Sequence, residues 1–393
     1  MVSLPQIQKD LIDVSWALNI FRLGTGIVGI FIPLVILKSG GELWQIASFY
    51  LLYAFVKLCI NYPSMLVVQK KGAFFGLGSG FLFGILQLVS VLLYATYGNL
   101  AFLGLAAISL SFTNAFLWYS QHFFISQVID GESRSSNIAY IEIIGKVFDV
   151  IGPILGGLIG VFFGTSWLLV SAIVCILATA IPLRHMSRAQ LLDRSISLPP
   201  VKYNLSGAPA RDLVANFCFN VETSIGVLFW PIYLAVILNS YQSVGAIAAV
   251  SATASILTAW VAGKRGDSGG DRSVMHQGVA IISAVNIFRI FASTTLLIGF
   301  VSAAYRSSLS YFQNAWTSTY YGHAQVKGSQ YIVSMEIACD LAYVTMWGTL
   351  LGVLVISPNP TIFFNAAFLI GAFAVWGCLL ITRQDRPQKL ASL

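Results

Sequence analysis

Apolar runs of about 20 residues or more follow one another along almost the whole chain, and this pattern restricts the fold more than any other feature. At 1.5 Å per residue, about 20 residues cross the hydrocarbon layer of a bilayer as a helix. A membrane β-barrel needs strands of ~10 residues with alternating hydrophobicity, and the runs here do not alternate. Apolar residues make up 57% of the 393 positions and charged residues only 9%, where a soluble domain carries about 25% charge. So few charges cannot cover a water-facing surface of this size. The chain reads as an all-α membrane protein with about twelve transmembrane helices.

Spans are expected near 14–38, 43–67, 73–96, 99–124, 136–162, 165–184, 209–238, 242–262, 274–299, 300–322, 328–356 and 360–382. The ninth and tenth run together, so eleven is the alternative count. Lys9, Asp10 and Asp13 precede a first run of full spanning length that contains Arg22 and lacks a small-residue cleavage site, so no cleavable signal peptide is expected. With the N-terminus inside, sixteen of the 22 basic residues fall in inside segments, only Lys38 falls outside, and five lie within spans. The positive-inside rule then places both termini in the cytoplasm. It also accounts for the net charge of +7 without a nucleic-acid partner. The polar inside loop 185–208 separates six spans (1–184) from six more (209–393). Compact loops and short tails suggest a bacterial or archaeal inner membrane, and a monomer is expected. The five cysteines lie within apolar runs without paired loop spacing, which reads as small buried side chains rather than disulfides or a metal site.

The two halves carry matching features. Phe112-Thr113-Asn114-Ala115-Phe116 in the fourth span is matched 200 residues later by Phe312-Gln313-Asn314-Ala315-Trp316 in the tenth. Glu142 and Lys146 in the fifth span match Glu336 and Asp340 in the eleventh at an offset of 194, and Pro33 matches Pro231 at 198. Each pairs a span with the one six later, the arrangement of parallel repeats in some transporters.

Two local motifs accompany this layout. Gly263-Lys-Arg-Gly-Asp267, with Gly269, Gly270 and Arg272, joins the eighth and ninth spans. Gly145 and Gly152-Pro153-Ile154-Leu155-Gly156-Gly157 lie in the fifth. In both, and over essentially its whole length, the chain resembles the major facilitator superfamily. The first motif is similar to that family's G-x-x-x-D-R-x-G-R loop, and the second to its fifth-helix G-P-x-x-G-G signature. The equivalent first-half loop, Gln69-Lys70-Lys71-Gly72, lacks the Asp. The resemblance implies two pseudo-symmetric six-helix bundles that rock about a midplane site, and the fifth-helix signature is associated with antiporters. Read without the resemblance, the small residues form a seam for close helix packing.

Ionisable residues within spans are the sharpest functional candidates, since each costs roughly 2.5–3.5 kcal/mol to insert. Glu142, Lys146 and Asp149 share one helix face, with Glu142 and Lys146 in the favourable order for an ion pair. Glu336 and Asp340 also share a face, and their mutual repulsion favours a proton on one of them. Asp149, Glu222, Glu336 and Asp340 are therefore candidates for proton coupling. The alternative for Asp340 is a structural pair with Lys57 or Lys146. Arg289 is expected in a structural ion pair. Arg22 and Glu222 lie in the first and seventh spans, which line the cavity in the family resembled.

Asn114, Trp118 and Gln121 in the fourth span, and Arg306, Gln313, Asn314 and Trp316 in the tenth, complete the candidate substrate contacts. Interhelical amide bonding is the alternative for the asparagines. No P-loop, H-E-x-x-H or G-x-S-x-G motif occurs, and no cofactor or metal is implied. These readings favour a secondary transporter of a small organic or amphipathic solute, proton-coupled and inclined toward export. The alternatives are a flippase for an amphiphile and a membrane sensor or assembly protein on the same fold.

Overall fold

A computed structural model of the chain describes residues 4–128, 134–185, 202–266 and 271–382. The helices are α1 (Leu4–Val28), α2 (Ile32–Lys38), α3 (Leu43–Lys71), α4 (Ala73–Tyr97), α5 (Leu100–Val128), α6 (Arg134–Phe162), α7 (Gly164–Leu177) and α8 (Ala180–His185). They continue as α9 (Ala210–Ser224), α10 (Trp230–Leu238), α11 (Tyr241–Gly266), α12 (Asp271–Arg289), α13 (Thr295–Lys327), α14 (Ser329–Ile356) and α15 (Pro360–Gly377). Taking α1–α2, α7–α8 and α9–α10 as interrupted spans, the described residues form twelve rods. Nine are long and apolar enough to cross a membrane. The other three, α11, α12 and α13, do not meet that measure over their described residues.

Some boundaries differ from those expected. The first helix begins at Leu4, so Lys9, Asp10 and Asp13 are helical, while the apolar stretch of spanning length runs Ile12–Lys38. One carboxylate oxygen of Asp13 is buried without a hydrogen-bond partner. Residues 290–294 separate the ninth span from the tenth, and α13 extends past the expected 300–322 at both ends. Asp267 and most of the 185–208 loop lie outside the described residues, as does the side chain of Glu142.

The first and seventh spans are interrupted at matching places. A 3-10 turn, Gly29–Phe31, precedes α2, and a π-turn, Ile225–Phe229, precedes α10. Pro33 and Pro231 each stand within the first two residues of the helix that resumes. Proline has no N–H to donate and its ring crowds the preceding turn, so an interior position disrupts the regular ladder. Elsewhere, rods end on residues that accept positive φ. Gly98 (φ 67°) closes α4 and Asn239 (φ 43°) closes α10.

The chain forms two compact units. Unit 1 comprises Met1–Ser197, Leu228–Ala252 and Trp347–Pro360. In it α4 packs on α5, α5 on α3, and α1 on α6 and α7. Gly76 and Gly80 let α4 approach α5, since a Cβ at Gly80 would stand 2.6 Å from the Leu117 side chain. The Ser111 hydroxyl crosses to the Tyr53 carbonyl at 2.8 Å. Unit 2 comprises Leu198–Val227, Thr253–Met346 and Thr361–Leu393. There α12 packs on α13, and the Ser283 hydroxyl donates to the Ala372 carbonyl of α15 at 2.8 Å.

Unit 1 joins the first six spans to α10, to the start of α11 and to the end of α14. α10 packs on α2. Tyr241 is buried, its ring 5.7 Å from that of Phe31 and its hydroxyl 2.7 Å from Thr165 Oγ1. Lys38 Nζ lies 5.6 Å above the same ring. Trp347 is fully buried and stacks on Tyr50 at 4.7 Å.

The glycines of the fifth span lie on two contact lines in this unit. A Cβ at Gly152 would stand 2.9 Å from Gly26 Cα, and one at Gly156 would overlap the Ile27 carbonyl oxygen. A Cβ at Gly157 would stand 3.1 Å from the Tyr241 carbonyl oxygen, and one at Gly160 2.6 Å from the Tyr241 ring. α6 therefore packs backbone-close on α1 along one line and on α11 along the other.

Candidate functional site

The densest group of buried ionisable residues lies in unit 2, around α9. Glu222 on α9, Asn286 and Arg289 on α12, and Tyr305 on α13 are all at most 1% exposed. Asn286 joins the two charges, donating from Nδ2 to Glu222 Oε1 at 3.2 Å and accepting from Arg289 Nη1 at Oδ1 at 2.8 Å. The Arg289 guanidinium lies 3.9 Å above the Tyr305 ring and 6.0 Å from that of Phe368. A desolvated cation–π contact of this kind contributes about 2 kcal/mol. The Tyr305 hydroxyl stands beside the Glu222 carboxylate without a hydrogen bond of good geometry. Opposite charges held close offset each other's desolvation, which permits both to be buried.

The sequence singled out Glu222 and Arg289 separately, one as a cavity residue and the other as half of an ion pair. The structure brings them together, and it turns Glu222 toward α12, α13 and α15 inside unit 2. Asn286 and Tyr305 were missed. Their only signal was a position three residues before Arg289 and another beside Arg306.

Along α9, Asp212, Asn216 and Asn220 follow at spacings of four and face α14. Asn216 Nδ2 donates to the Met335 carbonyl at 2.6 Å, and Cys339 Sγ donates to Asn220 Oδ1 at 3.0 Å. Asp212 is fully buried. It accepts from the Thr382 backbone N–H at 2.8 Å, from Tyr331 Oη at 3.2 Å and from Lys327 Nζ at 3.4 Å. His323 Nε2 lies 3.0 Å from the Thr382 carbonyl oxygen. One carboxylate thus ties the start of α9 to the end of α13, the start of α14 and the segment after α15. Just behind it, residues 202–207 are strapped to α14. Lys202 N–H donates to Gln330 Oε1 at 2.8 Å, and Ser334 Oγ donates to the Asn204 carbonyl at 2.8 Å.

The other candidates are scattered. In unit 1, the Arg22 guanidinium lies against Gly145 of α6, where a side chain would displace it. Asn114 donates to Leu110 of its own helix at 2.9 Å. Trp118 is exposed and Gln121 half-buried. Lys57 is buried, Lys146 half-buried and Asp149 exposed. In unit 2, Arg306, Asn314 and Arg272 are exposed and Gln313 is half-buried, while Trp316 is buried and stacks on Phe219 at 4.8 Å. Glu336 is half-buried, with Tyr320 inside its electrostatic reach, and Asp340 is 1% exposed. Among the described residues no three His, Cys, Asp or Glu side chains converge as a metal-ligand group.

Neither a family model nor a curated protein sequence matches the chain. Solved structures do. A bacterial homologue of the iron transporter ferroportin, in an inward-facing state, superposes with a TM-score of 0.70 at 14% identity, covering 95% of this chain and 98% of that one. A bacterial metal transporter superposes with a TM-score of 0.65 at 14% identity, covering 96% and 98%. The chain is a multi-pass helical membrane protein that shares the fold of these two solved structures.

Proposed function

We propose that the chain is a secondary transporter that works by alternating access, carrying a small polar or amphipathic organic solute coupled to protons. The six-span halves 1–184 and 209–393 rock about the 185–208 loop, with both termini cytoplasmic in the plasma membrane of a monomer. The observation that carries this reading is the make-up of unit 1. Lys38 is the one basic residue assigned to an outside loop, and it lies over Tyr241. α10, Tyr241 and Trp347 from the second half are packed into the first six spans at that end. A bundle closed in this way on the outside is one end state of such a cycle, and the inward-facing neighbour supports it. Glu222 is the coupling group favoured by its surroundings. It is buried, it is ionisable, and its counter-charge reaches it through one amide, so gaining or losing a proton changes the charge balance of the whole cluster.

The test is transport by purified protein in liposomes, with lumenal pH followed under an imposed gradient as charged, neutral and amphipathic solutes are added. Solute-dependent proton movement that is lost in Glu222→Gln supports the reading. Solute transport that proceeds without proton movement refutes the coupling. A second reading, transport of a divalent metal cation, is favoured by what the two solved neighbours are described as carrying. The same liposomes loaded with a metal-quenched dye and challenged with Mn²⁺, Co²⁺ or Fe²⁺ separate the two. Metal entry that no organic solute competes would replace the first reading with the second.

A further inference from the structure

We propose that the π-turn of the seventh span is a proton-operated hinge, in which Tyr305 transmits the state of Glu222 to the backbone at Gly226. This rests on the reading of Glu222 as the proton-exchanging group. The geometry of the turn supplies the rest.

A π-turn holds one more residue than a regular helical turn, and such turns mark places where a helix changes register. This one, Ile225–Phe229, begins three residues after Glu222. The seventh span also passes from unit 2 to unit 1 within it, between Val227 and Leu228. Before the turn, α9 is held to unit 2 by Asp212, Asn216, Asn220 and Glu222. After it, α10 is held to α2 in unit 1. Both flanking segments are packed, so a change of helix register concentrates in the few residues between them.

The hydroxyls of Thr223 and Ser224, the last two residues of α9 before the turn, are buried without partners. Tyr305 occupies the space where a side chain on residue 226 would stand, its hydroxyl and ring edge filling the position of a Cβ. Its hydroxyl also faces Glu222. The same phenol therefore touches the titrating group and props the turn.

The groups facing Glu222 can be named from each neighbouring element. Asn286 and Arg289 come from α12, and Tyr305 from α13, with Arg306 acting at longer range on Arg289 and Tyr305. Cys378 follows α15, and Cys218 precedes Glu222 by one turn of α9. When Glu222 is ionised it balances Arg289 and can accept from the phenol. When it takes a proton from water it becomes a donor, the phenol changes partner, and the prop under Gly226 is released.

The experiment is hydrogen–deuterium exchange of a peptide covering residues 225–235 in the full-length protein, read across pH and compared with solute-driven proton flux. The expected result is protection of the turn that changes with pH in the wild type and loses that dependence in both Glu222→Gln and Tyr305→Phe. Gly226→Ala, which displaces the phenol, is expected to give the same pH-independent exchange and covers the case in which Tyr305→Phe does not fold. Retention of the pH response in Tyr305→Phe and Gly226→Ala, with its loss in Glu222→Gln, would overturn the hinge while leaving Glu222 as the coupling group. A wild-type turn that does not respond to pH overturns the hinge outright. Undiminished coupled flux in Glu222→Gln would instead remove the reading on which the hinge rests.

Discussion

Replacing Asp212 by alanine should destabilise the protein by about 3 kcal/mol, and the individual contacts show where that figure comes from. The carboxylate is fully buried and receives three donors, Thr382 N–H at 2.8 Å, Tyr331 Oη at 3.2 Å and Lys327 Nζ at 3.4 Å. Hydrogen bonds to a charged group contribute about 1.5–3 kcal/mol each, and a donor left buried without an acceptor costs about 1–3 kcal/mol. Against this, alanine removes the expense of burying a carboxylate, which is several kcal/mol. The Lys327 contact adds little, because that side chain is 30% exposed and exposed pairs contribute roughly 0–1 kcal/mol. The Thr382 and Tyr331 donors therefore dominate. Lys327→Met should cost below about 1 kcal/mol, and Asp212→Asn, which keeps an acceptor for Thr382, should fall between the two. Equilibrium unfolding in mixed detergent micelles, followed by a thiol-reactive dye at buried Cys378, measures all three. Asp212→Ala within about 1 kcal/mol of wild type, or Lys327→Met as damaging as Asp212→Ala, would refute the reasoning.

Three further outcomes can be measured in the same preparations. Removing one partner of the buried Glu222–Asn286–Arg289 group should cost about 3–5 kcal/mol, so Arg289→Leu and Glu222→Leu should each unfold more readily than the double variant; equal or additive losses would show that the charges do not compensate each other. Gly156→Ala forces a methyl onto the Ile27 carbonyl and should cost about 1–3 kcal/mol, whereas Gly29→Ala, with open space around its Cβ, should stay within about 1 kcal/mol. Gly160→Val drives a side chain into the Tyr241 ring and should lower steady-state transport at least about tenfold; it should also raise thiol labelling of Ser39→Cys from outside, and unchanged transport would remove Tyr241 from the closing contact.

Part of the site was legible in the amino-acid sequence. Arg289 and Glu222 stood out because a charge inside an apolar run must find compensation. Asp212 did not stand out, since it follows Arg211 at the start of a helix and reads as an ordinary loop charge. Its partners lie 115, 119 and 170 residues away. The matching prolines Pro33 and Pro231 announced two interrupted spans, but not that one break would be a 3-10 turn and the other a π-turn.

The sequence by itself determined the membrane setting, the helical rods and the approximate position of most of them. In lipid every backbone N–H and C=O must be satisfied within its own segment, so a run of about 20 apolar residues has no alternative to a helix. Only the tertiary structure decided which face of each rod meets which neighbour. A helix in a bilayer is apolar toward lipid and toward protein alike, so hydrophobic periodicity cannot assign its faces. That choice rests on contacts between distant residues, such as Glu222 with Asn286 and Tyr241 with Thr165, and on small residues that admit a backbone, such as Gly152 beside Gly26.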